Sequence, residues 1–318
     1  MTTKTGSDEF YDLADGCVRD GRYEEAIEIY QKLIATRPDD DSLVFSLAWA
    51  YRDSGRNEDA INCFEMLLER ELARKIFTGF AYDELVRLFR EKGDYEKLVA
   101  LCEKAVGAQP NDPALLETLG NACLRAGRVD RAVEVFERLS RRESDSAAYF
   151  CLLGNAYVAA GRHEHADEAY EKAIAIDPPE AAVFYSRLAG AYSEAGRHEK
   201  AEGAIRRAVD RDAARPLLYC ILGDILVSQG KPDDAREAYE TAIEIDTGAA
   251  GAYYNRLAHV FARAGDRARA AAMFAKAIDA DPLNHFYYVA LSDVLRSAGH
   301  EELAAEIYDK ARALGIVK

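Results

Sequence analysis

Nine glycines recur along the chain at a nearly constant spacing, and this repeat constrains the fold more than any other feature. The steps between them are 34, 38, 34, 34, 35, 34, 35 and 34 residues. A leucine precedes every one by eight positions, and an alanine follows eight of the nine by five positions. Because these features stay in phase over 318 residues, we interpret the chain as a tandem array of one structural unit. The repeated glycines are Gly21, Gly55, Gly93, Gly127, Gly161, Gly196, Gly230, Gly265 and Gly299.

Each unit is predicted to contain two short helices. Apolar residues in the first half recur at the i, i+3, i+4, i+7 spacing of one helix face, as at Phe150, Leu153 and Tyr157. The glycine then ends this helix, because a left-handed backbone conformation costs glycine least. Small residues at the eighth place let the two helices approach closely, and an aromatic ring at the twenty-fourth place fills the space beyond. None of the eight prolines interrupts a predicted helix interior.

These residues resemble those of the tetratricopeptide repeat, and the segment 153–178, LGNAYVAAGRHEHADEAYEKAIAIDP, is close to the consensus of that family. The resemblance implies an all-α fold, a right-handed superhelical solenoid of nine helix-turn-helix repeats whose first helices line an inner groove. One repeat cannot bury its own apolar faces, so neighbouring repeats must stack. We therefore predict a single solenoid over 1–318, with repeats at about 7–40, 41–78, 79–112, 113–146, 147–181, 182–215, 216–250, 251–284 and 285–318.

The second repeat departs from this pattern, because it is four residues longer than most of the others, near Arg74–Thr78. We expect either an extended helix or a bulged loop there. The third repeat has Leu98 where an alanine is expected and Cys102 where a ring is expected. This exchange of large for small conserves volume.

Composition and charge exclude several classes of function. The chain has 41 lysines and arginines against 56 aspartates and glutamates, a net charge of −15. This balance argues against nucleic acid as a partner, since phosphate binding needs a basic stripe. No apolar run approaches the roughly 18 to 20 residues of a membrane span, so we expect no direct membrane insertion. The first residues lack the apolar core of a secretory signal, and we therefore expect a cytoplasmic location.

No motif in the sequence indicates catalysis, a cofactor or a metal site. The six cysteines form no C-x-x-C pair, and we interpret them as reduced thiols that pack in the core. His163, His165 and His198 lie near two successive turns, but no set of four ligands accompanies them. We predict a protein that is not an enzyme and has no cofactor; a bound transition metal would favour a catalytic role for these histidines instead.

The second, fifth, ninth and twelfth places of each first helix share one face, offset from the stacking stripe, and the family places this face in the groove. In the first three repeats it carries rings and arginines, residue types that dominate interface hot spots. Arginine stacks on rings and also binds carboxylates with two hydrogen bonds. The alternative is that the rings pack against neighbouring repeats. The predicted residues are Tyr11, Phe45, Trp49, Arg52, Phe80, Arg87 and Arg90.

Further along the chain the same face becomes polar. Asn121 and Asn155 can hydrogen-bond a peptide backbone, although they also match the repeat consensus. Neither the carboxylate clamp of chaperone-binding repeats nor the asparagine ladder of O-GlcNAc transferase is present. The later repeats carry a mixture that suits a polar ligand or an ordinary solvated surface, formed by Arg187, Asp224, Asn255, Arg256, His259, Arg263, Asp293 and Arg296.

We therefore predict a non-enzymatic scaffold or adaptor that binds an extended or helical segment of a partner protein in its groove and aids the assembly or localisation of a complex. The alternative is a regulatory or substrate-recruiting subunit of an enzyme complex. The negative net charge favours a basic or amphipathic partner. An apolar strip on the last helix, at Leu303, Ile307 and Leu314, indicates homo-oligomerisation or a docked partner unless the tail of the chain folds back over it.

Overall fold

In a computed structural model, the protein is described over residues 6–316. This part of the chain contains eighteen α-helices, two short 3₁₀ helices and no strand. It separates into two compact units, one ending at Arg142 and the other beginning at Glu143. The predicted single solenoid over 1–318 stays a prediction, and its residues 1–5 and 317–318 lie outside the described residues.

Four helix pairs form the first unit, and each helix packs on the helices that precede and follow it within that unit. Its helices are α1 (Gly6–Arg19), α2 (Tyr23–Thr36), α3 (Asp41–Asp53), α4 (Asn57–Ala73), α5 (Phe80–Lys92), α6 (Tyr95–Ala108), α7 (Pro113–Arg125) and α8 (Val129–Arg142).

Five helix pairs form the second unit, in which the first helices of successive pairs also contact one another from α9 to α15. This pattern of paired, stacked helices in both units confirms the predicted all-α solenoid class. The helices are α9 (Ala147–Ala159), α10 (His163–Ile176), α11 (Ala181–Glu194), α12 (His198–Arg211), α13 (Pro216–Ser228), α14 (Pro232–Ile245), α15 (Ala250–Arg263), α16 (Arg267–Ala280), α17 (His285–Ser297) and α18 (Glu301–Ala313).

All nine repeated glycines lie at the turn between the two helices of a pair, with φ angles from 69° to 84°. At Gly161 the turn is closed by two backbone hydrogen bonds, in which Gly161 donates to Val158 and Arg162 donates to Tyr157. Any side chain here would be strained in this left-handed conformation. The glycine spacing therefore marks helix ends, as predicted.

Small residues at the eighth place let the two helices of a pair approach closely in every repeat but the third, where this place holds Val86. A Cβ atom added at Gly154 would lie 2.6 Å from the Tyr170 ring, and one added at Gly223 would lie 2.5 Å from the Tyr239 ring. These rings, at the twenty-fourth place of their repeats, are fully buried. The ring occupies the volume that a side chain on the first helix would need, as predicted for a small residue at the eighth place and a ring at the twenty-fourth.

The longer second repeat combines both predicted outcomes. Helix α4 has 17 residues, whereas α2 has 14, and an irregular segment then leads to Gly79. Lys75 in this segment has a φ of 58°. Arg70 and Arg74 both bind the carboxylate of Asp41, which ties the extra turn to the start of α3.

The last helix exposes part of its predicted apolar strip. Leu303 and Leu314 are 47% and 52% exposed, whereas Ile307 and Ile316 are half-buried and pack against the core of the second unit. The three residues of the strip thus keep part of their surface exposed, as predicted, although Ile316 of the tail packs against the same core; a role of the strip in self-association stays a prediction. Within residues 6–316, no helix combines the length and the apolar character that crossing a bilayer requires.

Candidate functional site

Trp49 of α3 lies at the centre of a cluster of rings in the first unit. Its indole meets the Phe45 ring edge to face, with 6.2 Å between the ring centroids. The ring of Phe64, which is buried on α4, lies 5.8 Å from Phe45 and 6.4 Å from Trp49. Trp49 and Phe45 are therefore half-buried side chains supported from below by the repeat core.

Two arginines lie over the Trp49 ring. The guanidinium carbons of Arg52 and Arg87 are 4.9 and 5.8 Å from the ring centroid, within the range of a cation–π interaction. Both arginines donate to the same carboxylate oxygen of Glu84, Arg52 over 2.8 Å and Arg87 over 2.6 Å. The Glu84 carboxylate thus fixes both cations above the indole.

Burial sets the electrostatics of this cluster. The side chains of Arg52 and Glu84 are only 18% and 17% exposed. Desolvation raises the pKa of Glu84 above its ordinary value, although the Arg52 charge works in the opposite direction. Each guanidinium has five N–H donors, so both arginines keep donors for a ligand. We call Phe45, Trp49, Arg52, Glu84 and Arg87 the aromatic–arginine surface.

Two of the other predicted residues, Tyr11 and Phe80, also lie on first helices of the first unit. The Tyr11 hydroxyl is 3.2 Å from the Ser46 hydroxyl, and the Tyr11 ring meets that of the buried Tyr30. Phe80, the first residue of α5, is 68% exposed. It shares a helix face with Glu84 and Arg87, which follow it by four and seven positions.

Arg90 and Asn121 lie together in a cleft of about 350 Å³ between α5, α6 and α7. Asn155 belongs to the second unit, where its amide oxygen accepts a hydrogen bond from the Tyr170 hydroxyl over 2.7 Å. Because a core tyrosine fixes this amide, Asn155 has less freedom to bind a ligand than the sequence suggested.

The sequence reasoning missed Glu84 and Phe64. A signal for Glu84 was available, because it precedes Arg87 by three positions on a predicted helix and so shares a face with it. Phe64 occupies the twenty-fourth place of its repeat, which the sequence predicts to hold a core ring.

In the second unit, five of the polar residues noted in the later repeats line one cleft between α13 and α15. The cleft has a volume of about 750 Å³. Arg187, Asp293 and Arg296 do not line it. The five residues are Asp224, Asn255, Arg256, His259 and Arg263.

The histidines near the turns pack against rings. The His163 ring is 5.5 Å from that of Tyr192, and the His165 ring is 5.3 Å from that of Tyr157. Across residues 6–316, no group of three or more histidines, cysteines, aspartates or glutamates is arranged to hold a metal ion.

Burial also sets the acidity of the cysteine thiols, and five of the six cysteines are buried. It raises the pKa of four thiols to about 11, so they stay protonated and unreactive near neutral pH. The four are Cys63, Cys123, Cys151 and Cys220.

Comparison with known proteins identifies the class. Two family models, both described as tetratricopeptide repeat, match the chain, one at residues 18–74 and 226–295. The other matches 84–148, 117–181, 151–216 and 186–254. Since these matches span most of the sequence, the chain belongs to the tetratricopeptide-repeat family. Such repeats mediate protein–protein interaction, and the chain is accordingly built as a protein-interaction scaffold.

Individual relatives are distant. Protein O-mannosyl-transferase TMTC1 of Homo sapiens is 27% identical over 122 residues, which are 36% of this chain and 13% of that protein. A tetratricopeptide repeat protein from Parabacteroides merdae has a crystal structure with a TM-score of 0.50 and 14% identity, covering 80% of this chain and 98% of that one. This likeness shows the fold alone. The MamA protein structure gives a TM-score of 0.40 and 25% identity, covering 55% of this chain and 94% of that one.

Proposed function

We propose that the protein is a non-enzymatic adaptor that binds an extended or helical segment of a partner protein on its aromatic–arginine surface. It would thereby assemble or localise a complex. The observation that supports this most is the arrangement of Trp49, with a ring cluster beneath it and Arg52 and Arg87 fixed above it by Glu84.

The side chains of this surface hold one another in place, which favours binding. Packing on Phe64 and hydrogen bonding to Glu84 restrict the side chains that a partner would otherwise have to immobilise. Immobilising each flexible side chain costs about 0.5–1.5 kcal/mol on association. A segment with one apolar side chain for Trp49 and carbonyl or carboxylate oxygens for the arginines fits this chemistry.

The charge of the whole chain adds a second preference. At a net charge of −15, the protein attracts a segment that also carries basic residues, and it does so more strongly at low salt. An amphipathic partner satisfies both requirements. Nucleic acid does not, because it would meet a predominantly acidic molecule.

A regulatory or substrate-recruiting subunit of an enzyme complex would use the same surface and differ only in the partner it binds. An enzyme among the captured partners would favour this role over that of an adaptor. A cytoplasmic location and self-association through Leu303, Ile307 and Leu314 also stay predictions.

Cross-linked affinity capture from the native host, quantified by mass spectrometry, tests the proposal. The baits are the wild type, Trp49→Ala and the control Phe286→Ala, which removes a ring that is 66% exposed in the second unit. We expect a partner captured by the wild type and the control to fall by about 30-fold or more with Trp49→Ala, the effect of losing a hot spot of about 2 kcal/mol. Equal capture by all three baits would contradict the assignment.

A further inference from the structure

The cleft between α13 and α15 in the second unit has an excess of hydrogen-bond donors. Arg256, Arg263, Asn255 and His259 contribute N–H groups, and Asp224 contributes the only carboxylate of its lining. The remaining lining side chains, apart from one serine, are small or apolar. A ligand that enters this cleft therefore meets donors on most of its polar contacts.

The single carboxylate is already engaged. Asp224 accepts hydrogen bonds from the Tyr239 hydroxyl and from Arg256. It follows that Asp224 neutralises Arg256 but leaves the charge of Arg263 uncompensated. Within residues 6–316, Arg263 forms no ion pair with any carboxylate.

His259 lies beside this uncompensated charge. Its ring meets the buried Phe274 edge to face, with 5.1 Å between the centroids. The packing orients the imidazole, which lines the same cleft as Arg263 one helical turn further along α15. The Arg263 guanidinium and the His259 imidazole therefore present hydrogen-bond donors to the same cleft.

Charge is distributed unevenly among the helices of the second unit. Its first helices carry four arginines and three carboxylates; they are α9, α11, α13, α15 and α17. Its second helices carry eleven lysines and arginines against seventeen aspartates and glutamates; they are α10, α12, α14, α16 and α18. Among the helices of this unit, the acidic excess therefore lies on the second helices, and the first helices offer a site where an anionic group is not repelled.

We propose that the cleft between α13 and α15 binds a carboxylate side chain from an acidic segment of a partner protein, with Arg263 as the principal cation and Asn255 and His259 as further donors. The site rests on the proposed function only in that its ligand is a protein segment. It is distinct from the aromatic–arginine surface, which lies in the first unit and is built around the Trp49 ring. Arginine is suited to this role, because its planar donors match the two oxygens of a carboxylate.

Fluorescence anisotropy with the full chain tests this inference. The probe is a fluorescein-labelled peptide of about ten residues that alternates Glu and Ser, and its counterpart has Gln in place of Glu. We expect the wild type to bind the Glu peptide about tenfold more tightly than the Gln peptide, the usual scale of one charge-assisted hydrogen bond. Equal affinity for both peptides would overturn the proposal.

Two variants locate the site. Arg263→Gln should lower affinity for the Glu peptide about tenfold. Arg312→Gln removes the same charge from α18, outside the cleft, and should leave affinity unchanged. Equal losses in both variants would show a general charge effect and overturn the proposal, and so would competition by a short single-stranded oligonucleotide as effective as that of unlabelled Glu peptide.

The failure of this inference and that of the proposed function are distinguishable. Trp49→Ala should bind the Glu peptide as the wild type does, and a loss equal to that of Arg263→Gln would contradict an independent site. If the Glu peptide does not bind while capture still depends on Trp49, the acidic-ligand site is wrong and the adaptor function stands.

Discussion

The two units use the same helix pair but present different side chains on their first helices. In the first unit, rings and arginines are locked together around Trp49. In the second, α9 carries no charged residue, and α13 and α15 enclose a cleft rich in donors. The difference is possible because helix pairing uses other places of the repeat, so the exposed places vary without loss of the fold.

The ion pairs of the two regions differ in their burial. Arg52 and Glu84 are 18% and 17% exposed, whereas Arg256 and Asp224 are 42% and 41% exposed. A pair shielded from solvent is screened less by salt and holds its geometry more firmly. The Arg52–Glu84 pair therefore depends little on salt, whereas the second region is a solvated site whose affinity depends on ionic strength.

The largest losses of stability should come from substitutions in the packing within a helix pair, which the two units share. Gly120 and Gly223 each face a buried ring, so that an added Cβ would lie 2.5 Å from it. We expect Gly120→Val and Gly223→Val each to lower the free energy of unfolding by about 2–3 kcal/mol through overpacking. Urea unfolding followed by circular dichroism measures this change.

Gly190→Val is the matched control, because a Cβ at this helical position meets nothing within 4 Å. It should leave the unfolding midpoint nearly unchanged. If only one of Gly120→Val and Gly223→Val lowered the stability, the two units would not share the same packing within a helix pair.

Removal of the Trp49 ring should have the next largest effect on stability. Because the side chain is half-buried on Phe64, we expect Trp49→Ala to lower the free energy of unfolding by about 2 kcal/mol, less than a fully buried ring would. Phe286→Ala removes an exposed ring and should change it by less than about 0.5 kcal/mol. If both variants lost the same free energy of unfolding, Trp49 would not be packed against Phe64 as described.

Glu84→Gln should loosen the surface with little loss of stability. Because burial raises the pKa of Glu84, its ionisation costs native-state stability as the pH rises through this pKa, and a neutral glutamine avoids that cost. We expect a change below about 1 kcal/mol, since the loss of the ion pairs and the relief of desolvation oppose each other.

The effect of Glu84→Gln should be visible at Trp49, the only tryptophan in the chain. Once Arg52 and Arg87 are no longer fixed over the indole, acrylamide should quench its fluorescence more efficiently. Asp224→Asn, the corresponding change in the second unit, should not alter quenching. Unchanged quenching in Glu84→Gln would show that the carboxylate does not hold the arginines in place.

The smallest effect concerns His259. Burial and the nearby Arg263 charge lower the pKa of His259 below its ordinary value of 6.5. Its contribution to stability is therefore present at neutral pH and lost as the pH falls through the native-state pKa. Arg263→Gln should raise this pKa, measured by NMR titration of the imidazole, whereas Arg312→Gln should not. If His259 has the same pKa in both variants, the charge of Arg263 does not lower the pKa of His259.

The sequence was sufficient to predict the fold because each repeat place has a local cause. A glycine such as Gly161 marks a left-handed turn, and Gly154 marks the close approach of a ring. Both constraints act within one repeat, so spacing reveals them directly.

The sequence predicted less of the candidate site, because the site depends on contacts between repeats. The face containing Trp49, Arg52 and Arg87 follows from helix geometry. That Glu84 binds Arg52, 32 positions earlier, depends on how α3 packs near α5 and on the side-chain rotamers. In the same way, the engagement of Asn155 by Tyr170 cannot be read from repeat spacing.

Photo-cross-linking from Phe80 tests the central claim most directly. Phe80 is 68% exposed and shares a helix face with Glu84 and Arg87, so replacing it with p-benzoylphenylalanine places a reactive group beside the aromatic–arginine surface without disturbing the core. The control carries the same group at Phe286. We predict a covalent adduct with a specific partner protein at position 80, lost when Trp49→Ala is added and absent at position 286. An adduct that forms equally at both positions, or that persists without Trp49, would contradict the claim that this surface binds the partner.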